Sequence, residues 1–278
     1  MKYLIGLVLV CFCIGLIRGQ ETTKVMTYNI KLDYPKKGEN SWNNRKDWMV
    51  RQIKFHQPDI FGVQEALPNQ MQYLDSTLVN FQYTGVGRDD GNNQGEYSAI
   101  FYNASTFKVI ENGTFWLSET PNKVSMGWDA VCNRICTYAR FKNMNTKQQF
   151  WVFNTHFDHV GKVARTESPK LILKKIESLN SKNLPVILMG DFNLEPETKN
   201  IQLFYSYFND SKSISETAPF GPQGTFNGFN FNEPVTRRID YIFVSKDDIK
   251  VKKYGVLSDS KDCKYPSDHL PVMVFLSF

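Results

Sequence analysis

Long apolar stretches are scarce in this chain of 278 residues. One runs from Tyr3 to Ile17, behind Lys2 and ahead of Arg18-Gly19-Gln20, and no second one follows. A basic start, a short apolar core and a small residue describe a secretory signal peptide over residues 1–19, cut after Gly19. The run is short of the roughly 20 residues that a membrane-spanning helix needs. The expectation is a soluble mature chain over residues 20–278, without a transmembrane segment and located in the periplasm or outside the cell. Cys11 has no small residue before it, which argues against lipid attachment. Cysteine and histidine are also scarce, at 5 and 4 residues. After cleavage only Cys132, Cys136 and Cys263 remain, an odd number that leaves at least one thiol outside any internal pairing. Cys132 and Cys136 are read as lying on one strand. Four steps of about 3.3 Å put them about 13 Å apart, too far for a disulfide. The three are read as packing residues, and no zinc spacing exists because His and Cys are not clustered.

Charge of one sign is not concentrated anywhere. Without Lys2 and Arg18 the chain keeps 31 Lys and Arg against 28 Asp and Glu, a net charge of +3. Lys36-Lys37, Lys174-Lys175, Arg237-Arg238 and Lys252-Lys253 are isolated pairs, not the stripe of a dedicated nucleic-acid binder. No Gly/Ser/Pro linker or internal repeat divides the chain, so one domain is expected, and it is read as a monomer. A phosphate-binding Gly-x-x-x-x-Gly-Lys-Ser/Thr loop and a nucleophile-elbow serine are both missing.

What is present is a set of strands that end in polar side chains. The clearest is Val186-Ile-Leu-Met189, an apolar run after Pro185, which breaks at Gly190 and presents Asp191 and Asn193. Lys24 to Ile30 alternates and offers Asn29, and Asp59 to Gln64 offers Glu65. Phe150 to His156 ends in His156, Asp158 and His159. Arg238 to Val244 carries Asp240, and Pro266 to Pro271 carries Asp268 and His269 before a closing strand over residues 272–276. Between them lie helices near 43–56, 68–78, 163–180 and 198–208, with strands over 81–86, 97–102, 107–117 and 135–141. Two strand–helix halves around a hairpin-rich middle imply an α/β fold of two packed sheets with helices outside.

The polar ends are mostly carboxylates and amides, with two histidines and no thiols. Oxygen-rich sets of this kind suit Mg²⁺, with Mn²⁺ or Ca²⁺ as alternatives, better than Zn²⁺. A hard cation beside His and Asp fits metal-assisted hydrolysis of a phosphate ester.

Tyr28-Asn29, Gln64-Glu65, Thr155-His156, Gly190-Asp-Phe-Asn193, Arg238-Ile-Asp-Tyr241 and Ser267-Asp-His-Leu-Pro271 occur in an order that resembles the endonuclease/exonuclease/phosphatase superfamily. The likeness covers the mature chain and implies a four-layer α/β/β/α sandwich with Mg²⁺-dependent phosphoester hydrolysis. By that resemblance Glu65, Asn29 and Asp268 hold the metal, and Asp191 orients or deprotonates the attacking water. Asn193 helps hold the phosphate. His269 faces the scissile phosphate with Asp240 behind it, and His156 is the second active-site histidine of the deoxyribonuclease I branch. Arg134 matches a phosphate-contacting arginine of that branch. Asp158 is placed with it, although Asp158 and His159 also fit a polar pair at a helix entry. The blocks Ser41-Trp-Asn-Asn-Arg45, Gly87-Arg-Asp-Asp-Gly91, Gly127-Trp-Asp-Ala130 and Gly221-Pro-Gln-Gly-Thr-Phe-Asn227 resemble a secreted, mainly bacterial branch whose motifs assign no substrate. Expected substrates are small or lipid-linked phosphoesters, with a deoxyribonuclease I-like endonuclease or a non-catalytic binding module as alternatives.

Overall fold

The computed structural model describes residues 22–34 and 38–278, so the expected signal peptide lies outside the described residues. Twelve strands and four helices follow in the order β1 (Thr23–Asn29), α1 (Trp42–His56), β2 (Ile60–Gln64), α2 (Pro68–Thr77), β3 (Phe81–Thr84), β4 (Ile100–Asn103), β5 (Phe107–Trp116), β6 (Ile135–Asn143), β7 (Gln149–His156), α3 (Lys162–Leu179), β8 (Val186–Asp191), α4 (Lys199–Tyr205), β9 (Phe208–Asp210), β10 (Asp240–Ser245), β11 (Lys250–Val256) and β12 (Val272–Ser277). They form two six-stranded sheets, ordered β11-β12-β1-β2-β4-β3 and β5-β6-β7-β8-β10-β9. Each sheet holds one parallel pair, β1 with β2 and β7 with β8, among antiparallel neighbours.

The apolar run of β8 shows how alternation builds the layers. Ile187 and Met189 face the other sheet and join Val25, Ile60, Ile100, Val152 and Ile242 in the central core. Val186 and Leu188 point the opposite way, against Ile172 and Ile176 of α3 and Ile201 and Phe204 of α4. In β1, Val25 faces inward while Met26 and Tyr28 pack toward Met49, Ile53 and Leu74 of α1 and α2. A strand buried on both faces reads as a continuous apolar run because both faces need apolar residues. The outcome is the expected four-layer sandwich, helices outside two mixed sheets. No helix among the described residues is long and apolar enough to cross a membrane.

Three local expectations need correction. The predicted helix over 198–208 ends at Tyr205, and Phe208 opens β9, which pairs with β10. β11 was not anticipated: it reads Lys-Val-Lys-Lys-Tyr-Gly-Val, and lysines on an edge strand obscure its alternation. Cys132 lies in the loop before β6, not on a strand, and lines a cavity instead of packing in a core. All three cysteines are free.

The sheets meet over a buried amide. Asn154 donates to the Val63 and Ala99 carbonyls at 2.9 Å each and accepts from Gln64 Nε2 at 2.6 Å. Gly62 leaves the room: a Cβ there would sit 2.6 Å from Asn154 Cγ and 2.8 Å from Met189 Cε. Gly62→Ala should therefore lower unfolding stability by about 1–3 kcal/mol, the usual cost of overpacking. Urea denaturation checks this, and an unchanged midpoint would mean that the two sheets have slack at this point.

Candidate active site

Strand register assembles one half of the site. His156 pairs with Asp191 across β7 and β8, and Asp191 pairs with Asp240 across β8 and β10. These three residues therefore form one row at the end of the second sheet. β8 runs on through Gly190 instead of breaking there. Gly190 is needed because its φ is +145° and a Cβ would fall 2.0 Å from the Thr155 carbonyl of the adjacent strand. The other half comes from the first sheet. Asn29 pairs with Gln64, so Glu65 emerges beside it, and the loop into β12 delivers Asp268 and His269.

Three site residues that are not glycine sit in the left-handed backbone region: Lys31 (φ 56°), Glu65 (φ 62°) and Asn193 (φ 50°). Such positions cost of order 1–3 kcal/mol each and persist only where surrounding contacts hold them. Arg45 supplies that hold at Lys31. Its buried guanidinium donates to the carbonyls of Ile30, of Lys31 at 2.5 Å, of Asn40 at 3.0 Å and of Pro266 at 3.1 Å. The Ser41–Arg45 block thus ties the end of β1 to the loop that carries Asp268. The Gly221–Asn227 block does the same for the other loop. Thr225 Oγ1 accepts from the Ile239 and Asp240 amides at 3.1 Å, and the Asn227 backbone N–H donates to the Asp268 carbonyl at 2.8 Å.

The charged groups are in direct contact. His269 Nδ1 lies 2.9 Å from Asp240 Oδ2, and its Nε2 lies 3.8 Å from Asp191 Oδ2. Burial alone would lower the His269 pKa, but the Asp240 and Asp191 carboxylates outweigh it and push it up to about 10. The two carboxylates thus favour the charged form of the His269 ring. Burial, and then repulsion from Asp240, push Asp191 up to about 7, against the pull of His269, the Asn193 N–H and the Asn29 amide. His156 goes the other way: burial, with Arg134, Arg88 and His269 nearby, holds it well below its ordinary value. Neutral His156 receives the Asn193 Nδ2–H on Nε2 at 3.1 Å, with Nδ1 facing Glu96 at 4.0 Å.

The donor set fits a hard cation. Glu65, Asp191 and His269 each offer an atom within 4.8 Å of the others. His269 already meets Asp240 through Nδ1, and the rest of the set is oxygen. Asn29 bridges two of them, its Nδ2 lying 3.0 Å from Glu65 Oε1 and 2.9 Å from Asp191 Oδ2. Glu65 and Asp268 already share a positive charge, because Lys31 Nζ lies 3.4 Å from one and 3.2 Å from the other. A place that holds an ammonium between two carboxylates suits an oxygen-seeking metal ion.

Glu65, Asp268, Asp191, Asn193, His156, His269 and Arg134 all line one cavity of about 360 Å³. Asn29 and Asp240 stand behind it and act through their neighbours. Asp158 differs from its expected place on the substrate. Its Oδ1 accepts the Val160 and Gly161 amides at the entry to α3, and its Oδ2 is 3.4 Å from Arg134 Nε. It positions the arginine because its oxygens are already engaged, and a carboxylate repels phosphate. Arg134 also donates to His159 Nδ1 at 2.9 Å, while its Nη1 is buried without a partner.

Sequence reading missed Lys31, Glu96, Phe226 and Arg237 on the cavity wall. Glu96 forms a two-pronged pair with Arg88, at 2.9 and 2.7 Å. Phe226 meets the His269 ring edge to face at 5.1 Å, and Arg237 lies over the Phe226 ring. The Gly87–Gly91 and Gly221–Asn227 blocks were the two sequence features that lay near this wall. Arg88 lines the cavity, whereas Trp128 packs against the outer core and Arg165 bonds the His159 carbonyl.

Comparison with known proteins agrees with this geometry. A family model described as "Endonuclease/Exonuclease/phosphatase family" matches residues 26–269. The solved structure of a mannosyl-6-phosphatase from Bacteroides thetaiotaomicron is 40% identical, with a TM-score of 0.87 over 92% of this chain and 100% of that one. An uncharacterised protein of Acanthamoeba polyphaga mimivirus is 26% identical, over 84% of this chain and 91% of its own. The CCR4-Not complex 3'-5'-exoribonuclease subunit Ccr4 of Kluyveromyces lactis is 22% identical over 84% of this chain, which spans only 37% of that protein.

The His269 shift has a consequence for stability. Its folded pKa is raised, so the proton it keeps contributes stability fully below about pH 6.5, and that contribution is lost as pH rises through about 10. Metal-free protein should therefore melt at lower temperature as pH rises from about 8 to about 10. His269→Gln should show a shallower fall over the same window. Equal slopes in thermal melts would refute the raised value.

Proposed function

Because the chain belongs to the endonuclease/exonuclease/phosphatase family, we propose that it hydrolyses the phosphomonoester of a small, sugar-like molecule with the help of a divalent cation. Mg²⁺ is the first choice, with Mn²⁺ and Ca²⁺ as alternatives. The observation that carries this reading is Arg134: a buried guanidinium on the cavity wall, held by Asp158, with Nη1 left without a partner. Such a donor matches a phosphoryl oxygen. The cavity of about 360 Å³ suits a small substrate. The likeness to a mannosyl-6-phosphatase at 40% identity supports a sugar-like leaving group. A location in the periplasm or outside the cell is part of the proposal, supported by the apolar run over residues 3–17.

Glu65 and Asp268, with Asn29 beside them, would hold the cation. When bound, it neutralises phosphoryl oxygens and acidifies water. The chain's own groups do the rest. Asp191, raised toward neutrality, takes the proton of the attacking water. The charged His269, fixed by Asp240, faces the charge that develops on the phosphoryl group. Arg134 holds a remaining oxygen, and Asn193 fixes the orientation of His156.

A second reading, a nuclease, is favoured by the likeness to Ccr4 and by the presence of His156 next to Glu96. One panel separates the readings: hexose phosphates, an aryl phosphate, an aryl phosphodiester, RNA and plasmid DNA, each with Mg²⁺ and with chelator. Turnover of the monoesters with nucleic acids left intact supports the proposal. Metal-dependent cleavage of RNA or DNA supports the nuclease. No turnover with any divalent ion would leave a binding module.

Glu65→Gln should weaken metal binding about tenfold or more and abolish turnover, because it removes one full ligand charge. Near-normal activity and metal affinity would remove Glu65 from the site. Asp240→Asn and His269→Ala should each lower turnover about 10²-fold or more. Since the pair acts as one unit, the double variant should be little worse than the worse single. Additive losses, or an Asp240→Asn that lowers only the melting temperature, would show Asp240 to be structural.

A further inference from the structure

Lys31 stands out among the residues that the function above does not use. Its ammonium lies 3.4 Å from Glu65 Oε2 and 3.2 Å from Asp268 Oδ2, the two carboxylates assigned to the cation. Those carboxylates are nearly buried, whereas a third of the Lys31 side chain is exposed. The backbone observation is independent. Lys31 occupies the left-handed region at φ 56°, where glycine or asparagine is the ordinary choice. The position is pinned from three sides. Its N–H donates to Asn29 Oδ1 at 3.1 Å, and its carbonyl accepts from Arg45 Nη2 at 2.5 Å and Gln70 Nε2 at 2.9 Å. Strain clustered at a functional site is a pointer to function. Here it fixes the backbone from which the ammonium reaches across two acidic groups.

We propose that Lys31 is a displaceable counter-ion of the cation site. In the metal-free protein its ammonium keeps Glu65 and Asp268 together, and it yields that place to the divalent ion. Ammonium and metal cannot occupy the same gap between the same oxygens. A compact charge on a flexible four-carbon stem can leave without disturbing the backbone. Lys31 lines the cavity, so on leaving it faces the phosphoryl oxygens of the substrate. Entry of the metal then also completes the cationic wall. The inference rests on the metal-dependent reading above.

The test uses metal-free full-length protein and two variants, Lys31→Met and Lys31→Gly. Isothermal titration with MgCl₂ should show both variants binding Mg²⁺ about tenfold tighter or more, because the competing charge is gone. Metal-free Lys31→Met should melt below wild type, with the gap closing at saturating Mg²⁺. Lys31→Gly separates charge from strain, since glycine relieves the left-handed cost as well. Unchanged or weaker Mg²⁺ binding in both variants overturns the proposal. Tightening in Lys31→Gly alone assigns the effect to backbone strain and overturns it too. A wild type that binds no Mg²⁺, Mn²⁺ or Ca²⁺ overturns it together with the metal reading. Tighter binding in both variants beside a wild type that turns over no phosphoester upholds Lys31 and sinks only the enzymatic reading.

Discussion

Four carboxylates, Glu65, Asp191, Asp240 and Asp268, are buried at the adjoining ends of two sheets. A buried charge costs several kcal/mol unless it is paired or hydrogen-bonded. The rest of the site follows from this demand. His269 answers it for Asp240 and Asp191, whose charges favour its own charged form. Lys31 answers it for Glu65 and Asp268, and the Asn29 amide links Glu65 to Asp191. Asp191 keeps two hydrogen bonds, yet burial and repulsion from Asp240 raise its pKa. A group under such tension is well placed to take up a proton at neutral pH.

Holding that cluster together needs a stiff frame. The parallel pairs β1–β2 and β7–β8 end at the same rim, and their register sets which side chains meet there. Loops then close the arrangement from behind. Arg45 gathers carbonyls from two loops, and Thr225 and Asn227 grip the backbone at Asp240 and Asp268. Arg238, paired with Asp210 in the core and lying over the Tyr241 ring, anchors the start of β10. The Arg45 bond to the Lys31 carbonyl holds the left-handed backbone there, and Asp191 Oδ1 holds the Asn193 N–H. The strained residues and their clasps are therefore one design.

The cavity wall is where members of one family can diverge. Its base carries the charges that any phosphoester needs. Its sides come from the Gly87–Glu96 loop and from Phe226 and Arg237. That loop is tightly built: a Cβ at Gly87 would strike the Gln94 backbone at 2.2 Å, and Trp116 Nε1 donates to the Arg88 carbonyl at 2.7 Å. A rigid wall bearing a paired Arg88 and Glu96 selects by shape and hydrogen bonding, since the pair carries no net charge.

Local sequence determined the strand ends. An apolar run that stops at a glycine and a carboxylate, as at Val186 to Asp191, can be read without any partner, because burial on both faces demands apolar residues throughout. The ordered motifs around Asn29, Glu65, His156, Asp191, Asp240 and His269 also named most of the cavity's chemistry. Strands β9 and β11 were hidden, since edge strands carry polar and charged residues that break the alternation. Asp158 resembled a substrate contact until the α3 entry and Arg134 claimed its oxygens. Lys31 and Glu96 carried no local signal at all. Their roles exist only because residues 34 and 60 positions away are brought beside them, and a charge has meaning only with its neighbours in place. Which polar residues end strands is a property of the sequence; which of them share a charge is decided by the packing of the two sheets.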